Sequence, residues 1–346
     1  MKIIFLVLFY LFSFRVDAES CDSNILHSTN FESNEAVGLI PKNTIKHFVY
    51  FARDRSGIVR HYLLDSELID GAQIMYSWKY LEPKKGEYDL SEVENDLALL
   101  KSHGKKLFIQ LQDATFNPNF KSVPTYLLSD EYAGGVTAQY TDDGEIEGWV
   151  AKRWNKNVQI RFAKLLQALG EKFDGEVEGI NLQESAIGVT PKTEPDFTFI
   201  GYVDALKINM EVLKNTFSKS VTMQYANFMP GEWLPEEDKG YLKAIYEHGE
   251  KIGVGLGCPD LMLNNKNQLN HALGLMHQNN YSVPLGVAVQ DGNYIGKTNT
   301  TEVVVGHVNI VPRLASFAEE FLNVKYMFWA NQEPYFTDDV VPYFSQ

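Results

Sequence analysis

The chain has 346 residues, of which 45% are hydrophobic and 22% charged. That is too apolar for a disordered chain, and two cysteines are too few for a disulfide scaffold. Asp and Glu number 45 against 31 Lys and Arg, a formal charge of −14, which argues against a nucleic-acid partner. Residues 1–18 open with Lys2, run apolar from Ile3 to Phe14 and end in the small Ala18, the pattern of a secretory signal peptide cleaved after Ala18. The run is too short to cross a bilayer, and no later stretch is long and apolar enough to do so. The expectation is therefore an exported protein, periplasmic or extracellular, with no membrane span after cleavage. Export permits a disulfide, and Cys21 and Cys258 offer the one possible pairing. Asn280 and Asn299 open glycosylation sequons.

After an N-terminal segment, 19–44, a domain over 45–346 is expected. Short runs rich in Val, Ile, Phe and Tyr predict buried strands at Ile45 to Phe51, Gly71 to Trp78, Lys106 to Gln112 and Val177 to Leu182. Four more follow at Ser220 to Asn227, Gly253 to Gly257, Val283 to Gln290 and Tyr326 to Trp329. Helical patterns lie between them: Leu90 to His103, the Phe162, Leu165, Leu166, Leu169 stripe, Tyr202 to Phe217 and Val311 to Leu322. Eight strands alternating with helices predict an α/β chain folded as a single (β/α)8 TIM barrel. A doubly wound open sheet would carry a glycine-rich phosphate turn after its first strand, and none is present. One connection is long: residues 113–155 carry two Pro, several Gly and seven large aromatics. This third βα loop is expected over the barrel's C-terminal mouth, as a wall or lid of the site or as a decoration of the rim.

In such a barrel the active site is built from the C-terminal ends of the strands. Those ends hold carboxylates, amides and large aromatics. They hold no Cys/His/Asp set with metal spacing and no glycine-flanked Ser nucleophile, so neither metal nor cofactor is expected. Amides can fork onto sugar hydroxyls and indoles can cover the apolar faces of sugar rings. Two carboxylates suit glycoside hydrolysis, one of them protonating the leaving oxygen.

The stretch Trp78-Lys79-Tyr80-Leu81-Glu82-Pro83-Lys84-Lys85-Gly86-Glu87-Tyr88-Asp89 resembles the W-x-x-L-E-P-x-x-G-x-Y-D segment of (β/α)8 glycoside hydrolases of the large retaining clan, which includes β-galactosidases, cellulases and xylanases. In that clan the acid/base is a Glu after an amide at the end of the fourth strand. Gln183-Glu184 resembles that pair, with Gln where Asn is usual. Trp329 resembles the eighth-strand Trp that floors a sugar subsite. The clan's nucleophile is a Glu at the end of the seventh strand, where this chain has Gln290, and an amide cannot serve in that role.

The resemblance implies a secreted glycoside hydrolase acting on an oligo- or polysaccharide, with Glu184 as general acid/base. For the second carboxylate the strand ends offer Asp260, Asp291 and Glu333, with Asp113 behind them. Asp291 would take the role if the seventh strand ended one residue later, because a one-residue shift reverses which side chains face inward. Trp78 and Trp329 are expected as sugar platforms, and Gln112, Gln183, Tyr225, Asn227 and Gln290 as hydroxyl contacts. Glu82, before Pro83, is expected to tie down the second βα loop. The alternative from another class is a carbohydrate-binding barrel that does not cleave, which Gln290 favours.

Overall fold

A computed structural model describes residues 45–345. Residues 1–18, read above as a signal peptide, the segment 19–44 and Cys21 lie outside the described residues. Eight parallel strands close into a barrel: β1 (Lys46–Tyr50), β2 (Gly71–Ser77), β3 (Lys106–Gln112), β4 (Gly179–Leu182), β5 (Val221–Tyr225), β6 (Gly255–Cys258), β7 (Leu285–Val289) and β8 (Tyr326–Ala330). Closure is made by β8 on β1, in a register that runs from Lys46 beside Tyr326 to Tyr50 beside Ala330. Each extended run read from the sequence is a barrel strand, its ends shifted by a few residues at most. No helix among the described residues is long and apolar enough to cross a membrane.

The helices between the strands include α1 (Ser91–Ser102), α2 (Lys156–Phe173), α3 (Phe199–Thr216) and α4 (Tyr241–Ile252). In α2 the Asn155 side chain accepts from the Asn157 and Val158 amides, capping the helix start, and Leu165, Leu166 and Leu169 are buried against the barrel. Near its end a Cβ on Gly170 would meet the Thr216 carbonyl at 2.4 Å, so a glycine there lets α2 and α3 approach closely. The predicted helix from Val311 to Leu322 is an α-helix only as far as Ser316. A wider π-type turn, Phe317–Phe321, completes it.

Strand alternation decides what fills the barrel. Phe48, Phe108 and Phe328 point inward, with ring centroids 5.1 to 5.8 Å apart. Above them lies a polar layer, in which Gln73 Nε2 donates to Asn181 Oδ1 at 2.9 Å and to the Tyr225 hydroxyl at 3.0 Å. His47 and Trp329 have the opposite parity and face the outer layer, where Trp329 meets Phe344 at 6.0 Å.

The long third βα loop is not structureless. Segments 114–115, 136–140 and 146–151 form a three-stranded antiparallel sheet that the sequence reading did not anticipate. Its hairpin turns at Thr141 to Gly144, where Gly144 has φ of +84°. The sheet is tied to the loop after β4, since the Tyr140 amide donates to the Gly188 carbonyl at 2.9 Å. That contact makes it a wall of the mouth rather than a rim decoration.

The Trp78 to Asp89 stretch forms a buried polar knot beside the barrel. Glu82 is fully buried; its carboxylate accepts from Trp78 Nε1, the Tyr126 hydroxyl and the Gly86 amide, each at 2.8 Å, and pairs with Arg161 of α2. Every lone pair of a buried carboxylate needs such a partner. Glu82 therefore does what the sequence suggested, tying down the second βα loop.

Candidate active site

Glu184 follows β4 by two residues and stands half-buried in the barrel mouth. It lines a small inner pocket together with Tyr50, Gln112, Gln183, Tyr225 and Gln290. Asn227, just past β5, donates from Nδ2 to Glu184 Oε2 at 2.6 Å. Burial is the main influence on the Glu184 carboxyl and the negative charge of Asp260 the next; together they push it up to about 8 against the pull of Asn227 and Arg153. With Oε2 accepting from Asn227, the proton belongs on Oε1.

Asp260 lies in the turn after β6. Asn293 Nδ2 at 3.0 Å and the Thr298 hydroxyl at 2.9 Å both donate to its Oδ1, which leaves Oδ2 outside these bonds. Burial raises its carboxyl as well. The Tyr50 hydroxyl, at the end of β1, lies in the field of Asp291, Glu184 and Asp260; burial first and then these charges push its pKa upward. Tyr50 was missed in the sequence, although the end of the first strand is a mouth position like the other seven.

The remaining carboxylates separate by geometry. Asp113 is buried and takes a two-pronged ion pair from Arg153, Nε to Oδ2 at 2.8 Å and Nη2 to Oδ1 at 2.7 Å, so it is an anchor and not a reacting group. Arg153 also donates from Nη1 to the Glu184 carbonyl and to the Tyr202 hydroxyl, both at 2.8 Å, and fixes the backbone that carries Glu184. On β7 the inward side is Gly286, Ala288 and Gln290: a Cβ on Gly286 would strike Met223 of the barrel interior at 2.7 Å. Gln290 is thus the residue that lines the pocket, and Asp291, one residue on, is exposed, its carboxyl raised by the burial it does have. Glu333 is not brought to the pocket. Past β8 it is Gln332 that turns inward, to the Gly292 amide and the Thr300 carbonyl, while Glu333 is exposed and bonded by the Thr337 hydroxyl.

Both expected platforms are corrected. Trp78 is fully buried, locked by its bond to Glu82 and packed edge-on to Phe162 at 5.2 Å. Trp329 is fully buried on the outer side of β8, where its Nε1 meets His47 Nδ1 at 3.2 Å. Neither indole can reach a sugar. The amides fare differently. Gln183 lines the pocket, but its Oε1 accepts the Asp113 and Ala114 amides at 3.1 and 2.7 Å, pinning the third loop. Gln112 accepts from the Ser77 hydroxyl and keeps its amide nitrogen at the pocket. The Tyr225 hydroxyl is engaged by Gln73 below the pocket. Cys258 is buried and has no disulfide partner among the described residues, and its thiol lies 3.5 Å from the Asp260 carbonyl. Among the described residues, no three His, Cys, Asp or Glu side chains are grouped as a metal site.

No family model and no curated protein matches the sequence. Solved structures do match in shape. The catalytic domain of β-amylase from Paenibacillus polymyxa aligns with a TM-score of 0.56 at 10% identity, over 85% of this chain and 93% of that one. Endo-glycoceramidase II from Rhodococcus sp., as a lactosyl-enzyme intermediate, aligns at 0.51 and 11%, over 83% and 72%. GH5_18 from Bifidobacterium longum subsp. longum aligns at 0.50 and 12%, over 83% and 69%. The chain has the (β/α)8 TIM-barrel fold of these glycoside hydrolase structures.

Proposed function

We propose that this chain is an exported glycoside hydrolase that cleaves an oligo- or polysaccharide at the barrel mouth, with Glu184 as general acid and Asp260 as the second carboxylate. The observation that carries this reading is the placement of Glu184, in the inner pocket just past β4, with Oε2 held by Asn227 and Oε1 outside that bond. A carboxyl held up to about 8 keeps its proton at neutral pH and can give it to a departing glycosidic oxygen. Asp260 is the charged neighbour that, after burial, does most to raise the Glu184 carboxyl, which places the two carboxylates within electrostatic reach of each other. Asp260 follows Pro259 of the pocket lining, and its Oδ2, outside the bonds from Asn293 and Thr298, would serve the anomeric centre or a water. Gln290, at the seventh-strand position, would bind a hydroxyl. It is also the observation that favours the second reading, a barrel that binds sugar without cleaving it.

The test is chemical rescue at Asp260. Asp260→Gly is expected to lose about 10²- to 10⁴-fold in turnover of an aryl glycoside cleaved by the wild type. Added azide should restore turnover by entering the space of the lost carboxylate. Unimpaired turnover in Asp260→Gly would remove Asp260 from the mechanism. A wild type that cleaves no aryl glycoside and no oligosaccharide, yet binds one, would establish the binding barrel.

The pH profile supplies a further expectation. Cleavage falls on the alkaline side as Glu184 loses its proton, near pH 8. The Asn227 bond favours the ionised form and so lowers this value. In Asn227→Ala the alkaline limb of kcat/KM is expected to move to higher pH, and a limb that stays or moves down would contradict the assignment of that limb to Glu184.

A further inference from the structure

A cleft of about 1040 Å³ opens beside the inner pocket, on the Glu184 side of the mouth. Its floor is the chain just past Glu184, residues 186–190, and Phe116 lines both cleft and pocket. One wall is the antiparallel sheet of the third loop, with Tyr140, Asp142 and Glu147; the other is the loop after β5, with Phe228 and Trp233. This volume is at the upper end for small-ligand sites and exceeds what one sugar ring needs.

Trp233 is 46% exposed, and it is held rigidly. Its ring stacks on Phe228 at 5.7 Å with 11° between the planes, and His271 packs on both rings at 4.6 and 5.1 Å. His271 is itself fixed, its Nε2 accepting from the Leu234 amide at 2.9 Å and its Nδ1 donating to the Asn267 carbonyl at 2.7 Å. The neighbouring Glu232 is buried and accepts the Lys239, Tyr241 and Leu242 amides at the start of α4. A large aromatic side chain left half in water, with its backbone and stacking partners locked, is pre-organised to cover an apolar ligand face. The cleft lining contains the carboxylates of Asp142 and Glu147, besides Glu232 whose oxygens are taken by the α4 amides, and neither Lys nor Arg. An anionic glycan would meet like charge and no counter-charge there, whereas carboxylates accept bonds from neutral hydroxyls.

The geometry points to this cleft as the binding site for the leaving-group side of an uncharged oligosaccharide, with Trp233 as its sugar platform. The inference rests on Glu184 being the general acid: the acid protonates the leaving oxygen, so the sugars that depart lie on its side. It makes the substrate an extended neutral glycan rather than a uronate-containing or sulfated one.

Binding is measured by calorimetry in the Glu184→Gln background, so that turnover does not consume the probe. The probes are gluco-, xylo- and mannohexaose and, as the charged arm, a hexamer of galacturonate. At least one neutral hexaose is expected to bind, Trp233→Ala to weaken it at least about tenfold, and Trp233→Phe to keep most of the affinity. Equal affinity in Trp233→Ala, no neutral hexaose bound, or tighter binding of the galacturonate hexamer would each overturn the inference. A wild type that binds the hexaose through Trp233 but releases no reducing ends would refute hydrolysis and with it the leaving-group assignment, while the cleft would stand as a sugar-binding site with Trp233 as its platform.

Discussion

Glu184→Gln is expected to lower cleavage of an unactivated glycan by about 10³-fold or more, at the strong end of general-acid effects because a sugar leaving group cannot depart without a proton. Binding should survive, since Gln resembles the protonated acid in shape. The same substitution is expected to stabilise the protein, in a direction set by linkage. Below the ordinary value of 4.5 the carboxyl is protonated in folded and unfolded chains alike, and the substitution changes little. Between 4.5 and about 8 the unfolded chain gives up its proton while the folded one keeps it, so wild-type stability declines across this window relative to the variant. Above about 8 the gain of the variant is complete, on the order of a few kcal/mol. Reducing-end release together with thermal unfolding at pH 4 and pH 9 checks both halves. A surface carboxylate would give neither.

The Asp113–Arg153 pair carries the second large effect. Both side chains are almost wholly buried, at 5% and 4% exposure. Replacing Arg153 by Met strands a carboxylate in the interior and removes the donor from the Glu184 carbonyl and the Tyr202 hydroxyl. The expected cost is about 3–5 kcal/mol, read from urea unfolding. Removing both charges, as Arg153→Met with Asp113→Leu, should recover much of that stability, because two apolar groups leave no unpaired charge behind. Activity should not return with it, since the Glu184 backbone has lost its anchor. A double variant as unstable as the single one would show that the pair matters through shape and not through charge.

The barrel was legible because most of its strands are short runs rich in β-branched and aromatic residues set between helical patterns. Glu184 was legible through its place at the end of β4 beside an amide. Parity could also be read on β7, where Gly286 and Gln290 fall on one face. The two tryptophans were misjudged for the same kind of reason: Trp329 has the outward parity of Val49 and His47, and Trp78 sits one residue past the end of β2, in a helical turn that folds it inward onto Glu82. The hairpin in the third loop carried a turn signal, Asp143-Gly144, that its surrounding aromatics obscured. Arg153 and Trp233 had no such signal. Arg153 finds Asp113 across 40 residues of loop, and Trp233 gains its role from Phe228 and His271, a contact that no spacing rule encodes. The W-x-x-L-E-P stretch that carried the resemblance ties the second βα loop to Tyr126 and Arg161 and does not line the inner pocket.

The most direct test of the acid role of Glu184 is its ionisation in the folded protein. Carboxyl ¹³C resonances of Glu-labelled protein, assigned by comparison with Glu184→Gln, can be followed across pH. A midpoint near 8 is expected, with the proton retained at neutrality. A midpoint near the ordinary 4.5 would mean that Glu184 is an ionised carboxylate throughout the working range, unable to serve as the general acid.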